Sequence, residues 1–461
     1  MAEVLLTHGN HLFADPKQVE KMQPYPPLQT LLAAAVLRDA GASVALFDPT
    51  FHPPISGFEQ ALARHNPRYV VVCEDDFNFL SKMCLGHSRE LAFHFAASAR
   101  RAGITPIVHG SDSSDHVREF LDAGFACVLT GEVESSLLQL LQTRTYSGIP
   151  GLARMDSATN TVAYNPPRQP RTDLDSLPLP AWDLVDIARY REAWLAAHGY
   201  FSLNIASSRG CPYRCNWCAK PIYGDTYHAR SPHLVAAEMR ELKTRFAPDH
   251  LWFADDIFAL SARWTETFAA EVERLGARVP FKMQSRCDLM TRPTAAALRR
   301  AGCAEVWMGA ESGSQKILDA MEKGVRVEHI FEARRNLRRH GIRACYFLQF
   351  GYPGETWLDI ELTLRMVRET QPDDIGVSVS YPLPRTRFYN IVAAELHGDP
   401  HWRDSGDLAM MFHGTYSTDF YRALAAALHA EVRRTASPSD LARLWDQVLN
   451  LKDTPAPAEV A

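Results

Sequence analysis

The chain has 461 residues, of which 46% are hydrophobic, and a formal net charge of −5. That length is enough for two or three domains with cores of their own, and the negative charge argues against nucleic acid as the main partner. The first residues show no signal-peptide pattern and no stretch reaches the ~18 apolar residues of a membrane span, which predicts a cytoplasmic protein.

Residues 1–142 alternate apolar strand-like and helix-like segments. Strands are predicted at EVLLTH, SVALFD, YVVVCED, TPIVHG and ACVLTG, with helices such as LQTLLAAAVLRDAG between them. This alternation predicts a doubly wound, Rossmann-like parallel sheet, whose ligands bind at the carboxyl ends of the strands. Polar, turn-rich segments stand at those ends, at residues 8–10, 74–77, 109–112 and 130–132.

Residues 143–200 are predicted to be a connector. GLARMDSATNTVAYN indicates a hairpin with Asn160 near its turn, and PPRQPRTDLDSLPLPAWDLVD is proline-rich and extended. Trp182 and Trp194 are predicted to pack between domains.

The strand and helix alternation resumes over residues 201–390. Strands are predicted in FSLNIASS, HLWFADDIF, PFKMQSRCD, AEVWMGAESG, RACYFLQFGYPGE and DIGVSVSYPLP. In barrels built this way the chemistry lies at the carboxyl ends of the strands. The candidates there are Asp255, Asp256, Arg286, Glu311, Ser312, Gln349 and Tyr381. Residues 391–461 are predicted to be a helical region that caps the barrel or shapes a pocket, with a frayed tail.

Three cysteines, Cys211, Cys215 and Cys218, lie in a loop that begins with Gly210 and Pro212. Thiolates are natural ligands of iron–sulfur clusters, and three of them leave one iron of a four-iron cluster open for a small molecule. A zinc site would need a fourth ligand, and a disulfide pair with a spare thiol does not suit a cytoplasmic protein. The six other cysteines are scattered singly and are predicted to lie in the core: Cys73, Cys84, Cys127, Cys287, Cys303 and Cys345.

The spacing CxxxCxxC, with the aromatic Trp217 before the last cysteine, resembles the signature of radical S-adenosylmethionine (SAM) enzymes. The resemblance implies a [4Fe–4S] cluster on the three cysteines, whose open iron binds SAM and whose electron cleaves it to a 5′-deoxyadenosyl radical. It also implies a partial barrel of six βα units and an electron donor such as flavodoxin or ferredoxin.

Further motifs of the barrel segment are similar to those of the same family. ADD at 254–256 stands where the family often carries GGE, GAESG at 309–313 resembles its G.ESG, and GYPGET and YPLPRT resemble its G.PGET and yPlPGT, with Arg385 replacing a glycine. The SAM contacts that we expect are Trp217, Asp255, Asp256, Arg286, Glu311, Ser312, Gln349 and Tyr381. Arg286 and Glu311 could instead pair with each other.

PPLQTLLAAAVLRDAGASVALFD and GEVESSLLQLL resemble the opening and the close of the cobalamin-binding domain that precedes many radical SAM cores. The resemblance implies cobalamin across the strand ends, with contacts from Asp76, Phe77, Gly110, Ser111, Gly131 and Glu132. The motif DxHxxG, which supplies a cobalt ligand, is absent, so His52 is predicted to be an ordinary loop histidine. His109 also replaces a glycine that is common in the family.

These motifs together predict a cytoplasmic, cobalamin-dependent radical SAM enzyme, with boundaries at 1–142, 143–200, 201–390 and 391–461. The reaction that the resemblance favours is methylation of an unactivated carbon of a small-molecule substrate, with SAM as the source of both methyl group and radical. One alternative is ring or other bond formation on the same architecture. A second is a cobalamin- or redox-sensing binding protein with a vestigial cluster.

Overall fold

The computed structural model describes residues 2–78, 85–396, 403 and 408–453. The strands in these ranges are β1 Val4–Thr7, β2 Val44–Leu46, β3 Tyr69–Cys73, β4 Thr105–His109, β5 Cys127–Leu129, β6 Leu152–Asp156, β7 Thr161–Tyr164, β8 Ser202–Ile205, β9 Ser208–Arg209, β10 His228–Ala229, β11 His250–Phe253, β12 Phe281–Ser285, β13 Cys303–Glu311, β14 Arg343–Phe350 and β15 Asp374–Val379.

The α-helices in the same ranges follow most of the strands. They are α1 Pro16–Lys21, α2 Leu28–Asp39, α3 Pro54–His65, α4 Gly86–Arg101, α5 Ser111–Asp115, α6 Val117–Asp122, α7 Val133–Thr143, α8 Ile187–His198, α9 Pro232–Phe246, α10 Ala262–Leu275, α11 Arg292–Ala301, α12 Gln315–Ala320, α13 Val327–Arg339, α14 Trp357–Thr370, α15 Arg387–Val392, α16 Thr418–Arg433 and α17 Pro438–Lys452. None of these helices combines the length and the apolarity needed to cross a membrane.

The first sheet has the strand order β2-β1-β3-β4-β5-β6-β7. Its first five members pair in parallel, which confirms the predicted doubly wound sheet. Every residue of β1 and β3 is buried, because helices cover both faces of the sheet. The predicted hairpin is also present, with Asn160 at its turn at a φ of 54°. It joins β5 antiparallel, so the sheet extends past residue 142.

The second sheet has six parallel strands in the order β15-β14-β13-β12-β11-β8. In the described part of the chain its edge strands β8 and β15 do not pair with each other, so the predicted partial barrel is confirmed as an open one. The C-terminal region is helical, as predicted, and α16 packs on β15. Of the six cysteines outside the loop, five are buried and Cys84 lies outside the described residues.

A short segment that precedes α2 packs against the barrel. Asn204 of β8 donates to the Pro26 carbonyl at 2.9 Å, and Trp194 donates to the Pro24 carbonyl at 2.7 Å. The ring of Tyr25 lies between Trp194 and Trp252, with centroid separations of 5.2 Å and 4.8 Å. The first domain therefore contributes side chains to the wall of the barrel.

Candidate active site

The cysteine loop connects β9 to β10 at the carboxyl-terminal side of the barrel, directly after β8. Gly210 has a φ of 77°, and a Cβ there would overlap the Thr226 carbonyl, so the loop needs a glycine at this turn. Asn216 fixes the loop to two later segments: its amide nitrogen donates to the Ala320 carbonyl at 2.8 Å, and its backbone carbonyl accepts from Phe388 at 2.9 Å. These bonds orient the loop before any cofactor binds.

The thiols of Cys211, Cys215 and Cys218 are all partly buried, and none forms a disulfide in the described part of the chain. Lys220 donates to the Cys211 carbonyl at 3.0 Å, which places a cation beside the loop. Within the described ranges, no three His, Cys, Asp or Glu side chains gather around one point as ligands of a single metal ion. This argues against the zinc alternative, whereas a cluster takes each thiolate on a different iron. The loop therefore fits a cluster.

Trp217, inside the loop, is the first of the predicted SAM contacts. Its indole nitrogen is buried and has no hydrogen-bond partner among the described residues. Such a donor is costly unless it is satisfied, so it fits a site that a polar ligand completes. The ammonium of Lys323 lies 5.8 Å from the centroid of its ring.

Arg286, directly after β12, contacts the cysteine loop but does not pair with Glu311. Its guanidinium stacks on the Tyr213 ring at 3.6 Å and binds both carboxylate oxygens of Asp288 at 3.0 Å. It also donates to the Lys323 carbonyl at 2.8 Å. Burial opposes its charge, but the bond to Asp288 and the nearby Cys215 raise the pKa of Arg286. Arg286 thus contacts the cysteine loop and helps to position it.

Glu311, the last residue of β13, pairs instead with Lys323, a residue to which the sequence analysis assigned no role. The Lys323 ammonium lies 2.7 Å from Glu311 Oε1, and both side chains are buried. Glu311 has a φ of 57°, a left-handed conformation that is uncommon for a residue with a side chain and is enriched at functional sites. A Cβ at Gly309 would overlap both charged atoms, so that glycine gives the ion pair its room.

Asp255 and Asp256 follow β11 but differ in what they contact. Asp255 is buried and accepts hydrogen bonds from the backbone and hydroxyl of Ser207 and from the hydroxyl of Ser208. It therefore holds the segment that leads into the cysteine loop, and burial raises its pKa to about 6. Asp256 is only partly buried, and its charge contributes to the raised pKa of Cys211, whose main cause is burial. Of the two, Asp256 is the less buried carboxylate.

Three other predicted SAM contacts lie at the same ends of the strands. Ser312 is buried, and its hydroxyl is 3.1 Å from that of Thr363. Gln349 is also buried and donates to the Ser380 hydroxyl at 3.0 Å. Tyr381 is partly buried and packs against the cluster of Leu85 and Met411. The strand ends therefore bring the predicted residues together, but Ser312 and Gln349 already have protein partners.

A cavity of about 1420 Å³ extends from the first sheet into the barrel. Residues 8–12 after β1 and Asp75 and Asn78 after β3 line it on one side, and the inner faces of β11–β15 line it on the other. This volume exceeds the ~300–1,000 Å³ of most small-ligand pockets, so it has room for a macrocyclic cofactor. The cavity lining within the described ranges does not include the three cysteines.

The six residues predicted to contact cobalamin are not among those that line this cavity. Asp76, Phe77, Ser111 and Glu132 are buried. Phe77 packs against Tyr223, with ring centroids 5.8 Å apart. Gly110 approaches the Glu74 side chain so closely that a Cβ would meet it at 2.7 Å, and the Gly131 carbonyl accepts from His109 at 2.8 Å. The buried hydroxyl of Ser111 has no hydrogen-bond partner among the described residues. The cavity lies nearer the ends of β1 and β3.

The histidines near the strand ends have protein partners. His8 Nε2 lies 3.1 Å from Asp48, and its Nδ1 accepts from the Asn10 backbone at 3.2 Å. His52 contacts Arg189 at 3.2 Å, which fits the predicted loop role. His109 is buried, and burial lowers its pKa to about 4. The sequence analysis placed His8 at a strand end but did not predict its pairing with Asp48, because Asp48 follows a different strand.

Arg209, two residues before Cys211, joins the two sheets. It is buried and forms ion pairs with Glu132 at 3.2 Å and with Glu134, both from the first domain. Gln29 donates to Glu134 at 3.0 Å and accepts from the Tyr223 hydroxyl at 2.9 Å, which extends the network. Glu132 is therefore an interdomain contact in this structure.

Residues 205–367 match the model of the Radical SAM superfamily, so this segment is a radical SAM domain. An uncharacterized methyltransferase of Pyrococcus horikoshii is 26% identical over 272 residues, which cover 58% of each chain. Hopanoid C-3 methylase of Methylococcus capsulatus is 25% identical over 80% of this chain and 69% of its own. The chain thus spans a little over half the length of the first of these relatives.

The fold as a whole is similar to that of a solved structure. The cobalamin-dependent SAM radical enzyme OxsB, determined with aqua-cobalamin and SAM bound, superimposes with a TM-score of 0.75. The match covers 98% of this chain and 71% of the other at 15% sequence identity. At that identity the likeness establishes the fold: a first α/β domain, a radical SAM barrel and a helical C-terminal region.

Proposed function

We propose that this chain, whose residues 205–367 form a radical SAM domain, is a cobalamin-dependent enzyme that methylates an unactivated carbon of a small molecule. The observation that carries the proposal is that the cysteine loop and a large cavity from the first domain belong to the same barrel. The cysteine loop lies at the strand ends of the barrel, and the cavity that begins at the strand ends of the first sheet runs into the same barrel.

The residues that would hold the cofactors follow from the geometry. Cys211, Cys215 and Cys218 would bind a [4Fe–4S] cluster, and Trp217, Asp256 and Glu311 are the best placed to receive the polar groups of SAM. When bound, the cluster supplies an electron to SAM and cobalamin carries a methyl group, and the protein contributes position and exclusion of water. The segments 8–12 and 75–78 would lie against the corrin ring.

The relatives include both methylases and a cyclase, an anaerobic magnesium-protoporphyrin IX monomethyl ester cyclase of Synechocystis. Two of them carry methyltransferase or methylase in their names, and the solved neighbour binds cobalamin and SAM. A cyclase of the same architecture would use SAM only as a radical source. The fate of the SAM methyl group therefore distinguishes the two reactions.

The test needs no knowledge of the substrate. We would reconstitute the protein anaerobically with iron, sulfide and cobalamin, supply flavodoxin as the electron donor, and add SAM with a deuterated methyl group. We expect about four irons per chain, 5′-deoxyadenosine among the products, and deuterium recovered on cobalamin together with S-adenosylhomocysteine. SAM cleavage without label on cobalamin would favour a reaction other than methylation.

The matched control is a cysteine outside the loop. Replacement of Cys211, Cys215 and Cys218 by alanine should abolish iron binding, whereas Cys345→Ala, at a buried position of β14, should leave the iron content unchanged. Full iron retention in the triple variant would refute the cluster assignment. Absence of any SAM cleavage by a fully loaded protein would instead support a binding or sensing role.

A further inference from the structure

The large cavity continues through the barrel to the end opposite the cysteine loop. Its lining there includes His250, Lys282 and Asp374, which lie at the amino-terminal starts of β11, β12 and β15. The cysteine loop lies at the carboxyl ends of the same sheet. On the barrel side the lining reaches from these starts to the middle of the strands, at Trp252, Gln284 and Trp307, so a ligand held here must extend beyond it to reach the cysteine loop.

Lys282 points into this end of the cavity without a counter-ion. Its ammonium lies 5.6 Å from the Tyr25 ring centroid and 5.9 Å from that of Trp252, and its one hydrogen bond is a 3.5 Å contact with Gln23. No carboxylate lies within 4.0 Å of it among the described residues. A partly desolvated cation in this state is costly unless an anion joins it.

Two carboxylates that line this end of the cavity, Glu305 and Asp374, are already engaged. Glu305 accepts from the Trp307 indole at 2.7 Å on one oxygen and pairs with Arg343 at 3.3 Å on the other. Asp374 accepts from Arg433 at 2.9 Å. Neither acid forms an ion pair with Lys282 in the part of the chain that the structure describes.

Two further lysines, Lys17 and Lys21 of α1, line the same end of the cavity. Burial is the main cause that lowers the pKa of Lys17 to about 8, with repulsion from Lys21 adding to it. Burial followed by repulsion from Lys282 also lowers the pKa of Lys21. Each of these positive charges therefore disfavours the protonated form of its neighbour, and an added negative charge would stabilise the protonated form of all three lysines.

We propose that Lys282, with Lys17 and Lys21, binds an oxyanion of the substrate, a carboxylate or a phosphate, carried on a flat aromatic or conjugated body. Tyr25, Trp252 and Trp307 provide the aromatic wall for that body. The inference rests on the proposed function only in naming the ligand as the substrate of methyl transfer.

The length of β12 also indicates how long such a substrate must be. Arg286, whose guanidinium stacks on Tyr213 of the cysteine loop, is four positions after Lys282. At the rise of a β-strand, the two positions are about 13 Å apart. A substrate held by Lys282 must be about that long for its other end to reach the chemistry at the strand ends. Short acids and free inorganic phosphate would leave the reactive end empty.

The test uses two pairs of probes with the reconstituted full-length protein. Calorimetric titration would compare 2-naphthoate with its uncharged isostere 2-naphthamide, and 2-naphthyl phosphate with 2-naphthol. We expect the charged member of at least one pair to bind more tightly, and the better pair identifies the oxyanion. Lys282→Met, which keeps the apolar stem, should weaken that probe about tenfold or more, as loss of a hydrogen bond between charged groups does.

The matched control is Lys243→Met, on the outer face of α9, which should bind the probes like the wild type. Lys21→Met, in the cavity lining on α1, provides a second variant in case Lys282→Met does not fold. Equal binding of charged and uncharged probes, no saturable binding of either anion, or unchanged affinity in both cavity variants would overturn the proposal. Iron and cobalamin contents, measured on the same samples, would report separately on the proposed function.

Discussion

Arg209 Nη1 lies 3.2 Å from Glu132 Oε1, and this contact crosses from the strand that leads into the cysteine loop to the first domain. Both residues are buried, and Glu134 binds the same guanidinium. Burial opposes both charges, but the two acids raise the pKa of Arg209, and the guanidinium lowers the pKa of Glu134 to about 2. The cysteine loop is therefore fixed to the first domain by charge as well as by packing.

We expect Arg209→Met to destabilise the protein strongly, because it leaves two buried carboxylates without their cation. Removing one partner of a buried ion pair costs about 3–5 kcal/mol, which urea unfolding would measure. The double variant Arg209→Met/Glu134→Gln should recover part of that loss. Arg240→Met, at an exposed position of α9, is the control. Equal stability of Arg209→Met and the wild type would show that the network contributes nothing.

The parallel strands of both sheets could be predicted from the sequence, because buried strands are continuous apolar runs and the helices between them have a different period. The partners of polar side chains could not. Glu311 and Arg286 both follow apolar strands, and pairing between them was one of the alternatives, yet each has its own partner, Lys323 and Asp288. Which cation reaches which acid depends on bulges and on the direction of side chains at the strand ends.

The contacts predicted for the first domain illustrate the same difficulty. The sequence indicates which residues follow the strands, and Glu132 does follow β5. It does not indicate that Arg209, 77 residues away along the chain, forms an ion pair with Glu132. The buried cation between Ser208 and Gly210 was the available signal, since a charge inside an apolar strand segment needs a partner.

We expect bound cobalamin to have no histidine on cobalt. Both ring nitrogens of His8 are engaged, and His52 contacts Arg189. Electron paramagnetic resonance of the Co(II) form should show no nitrogen splitting from the protein, and His52→Ala should leave the spectrum unchanged. A splitting that disappears in His52→Ala or His8→Ala would contradict this.

We expect the contribution of Glu355 to the stability of the fold to decrease as the pH rises. Burial is the main cause that raises its pKa to about 8 from a usual value of 4.5. Because the fold favours the protonated form, the contribution of Glu355 is complete below the unfolded pKa and is lost as the pH rises through the folded one. The side chain of Gln in the Glu355→Gln variant is uncharged at every pH. The melting temperature of this variant should therefore increase relative to that of the wild type between about pH 5 and pH 8.

The control for this pH series is Glu369→Gln, at an exposed position of α14, the helix that begins two residues after Glu355. Its melting temperature should follow that of the wild type across the series. The amide of Glu355→Gln can still accept from the Gly351 backbone, which donates to Glu355 at 2.7 Å. A constant difference between Glu355→Gln and the wild type at every pH would show that Glu355 does not titrate in this range.

The last prediction separates two roles of Glu311, as the partner of Lys323 and as a ligand of SAM. Oε1 of Glu311 binds Lys323, and the residue's left-handed backbone places it at the strand ends beside the cysteine loop. We expect Glu311→Gln to lower the melting temperature, because Lys323 is then buried without an anion. We also expect it to weaken SAM binding by about 1–3 kcal/mol, the value of a charged hydrogen bond.

The double variant Glu311→Gln/Lys323→Met distinguishes these effects. It removes the uncompensated cation, so its melting temperature should return toward that of the wild type, whereas its affinity for SAM should remain low. Calorimetric titration of SAM into the reconstituted variants, beside their melting curves and iron contents, measures both quantities. If SAM binds the folded Glu311→Gln variant as tightly as the wild type, Glu311 serves only the ion pair, and the SAM-binding role proposed for it is wrong.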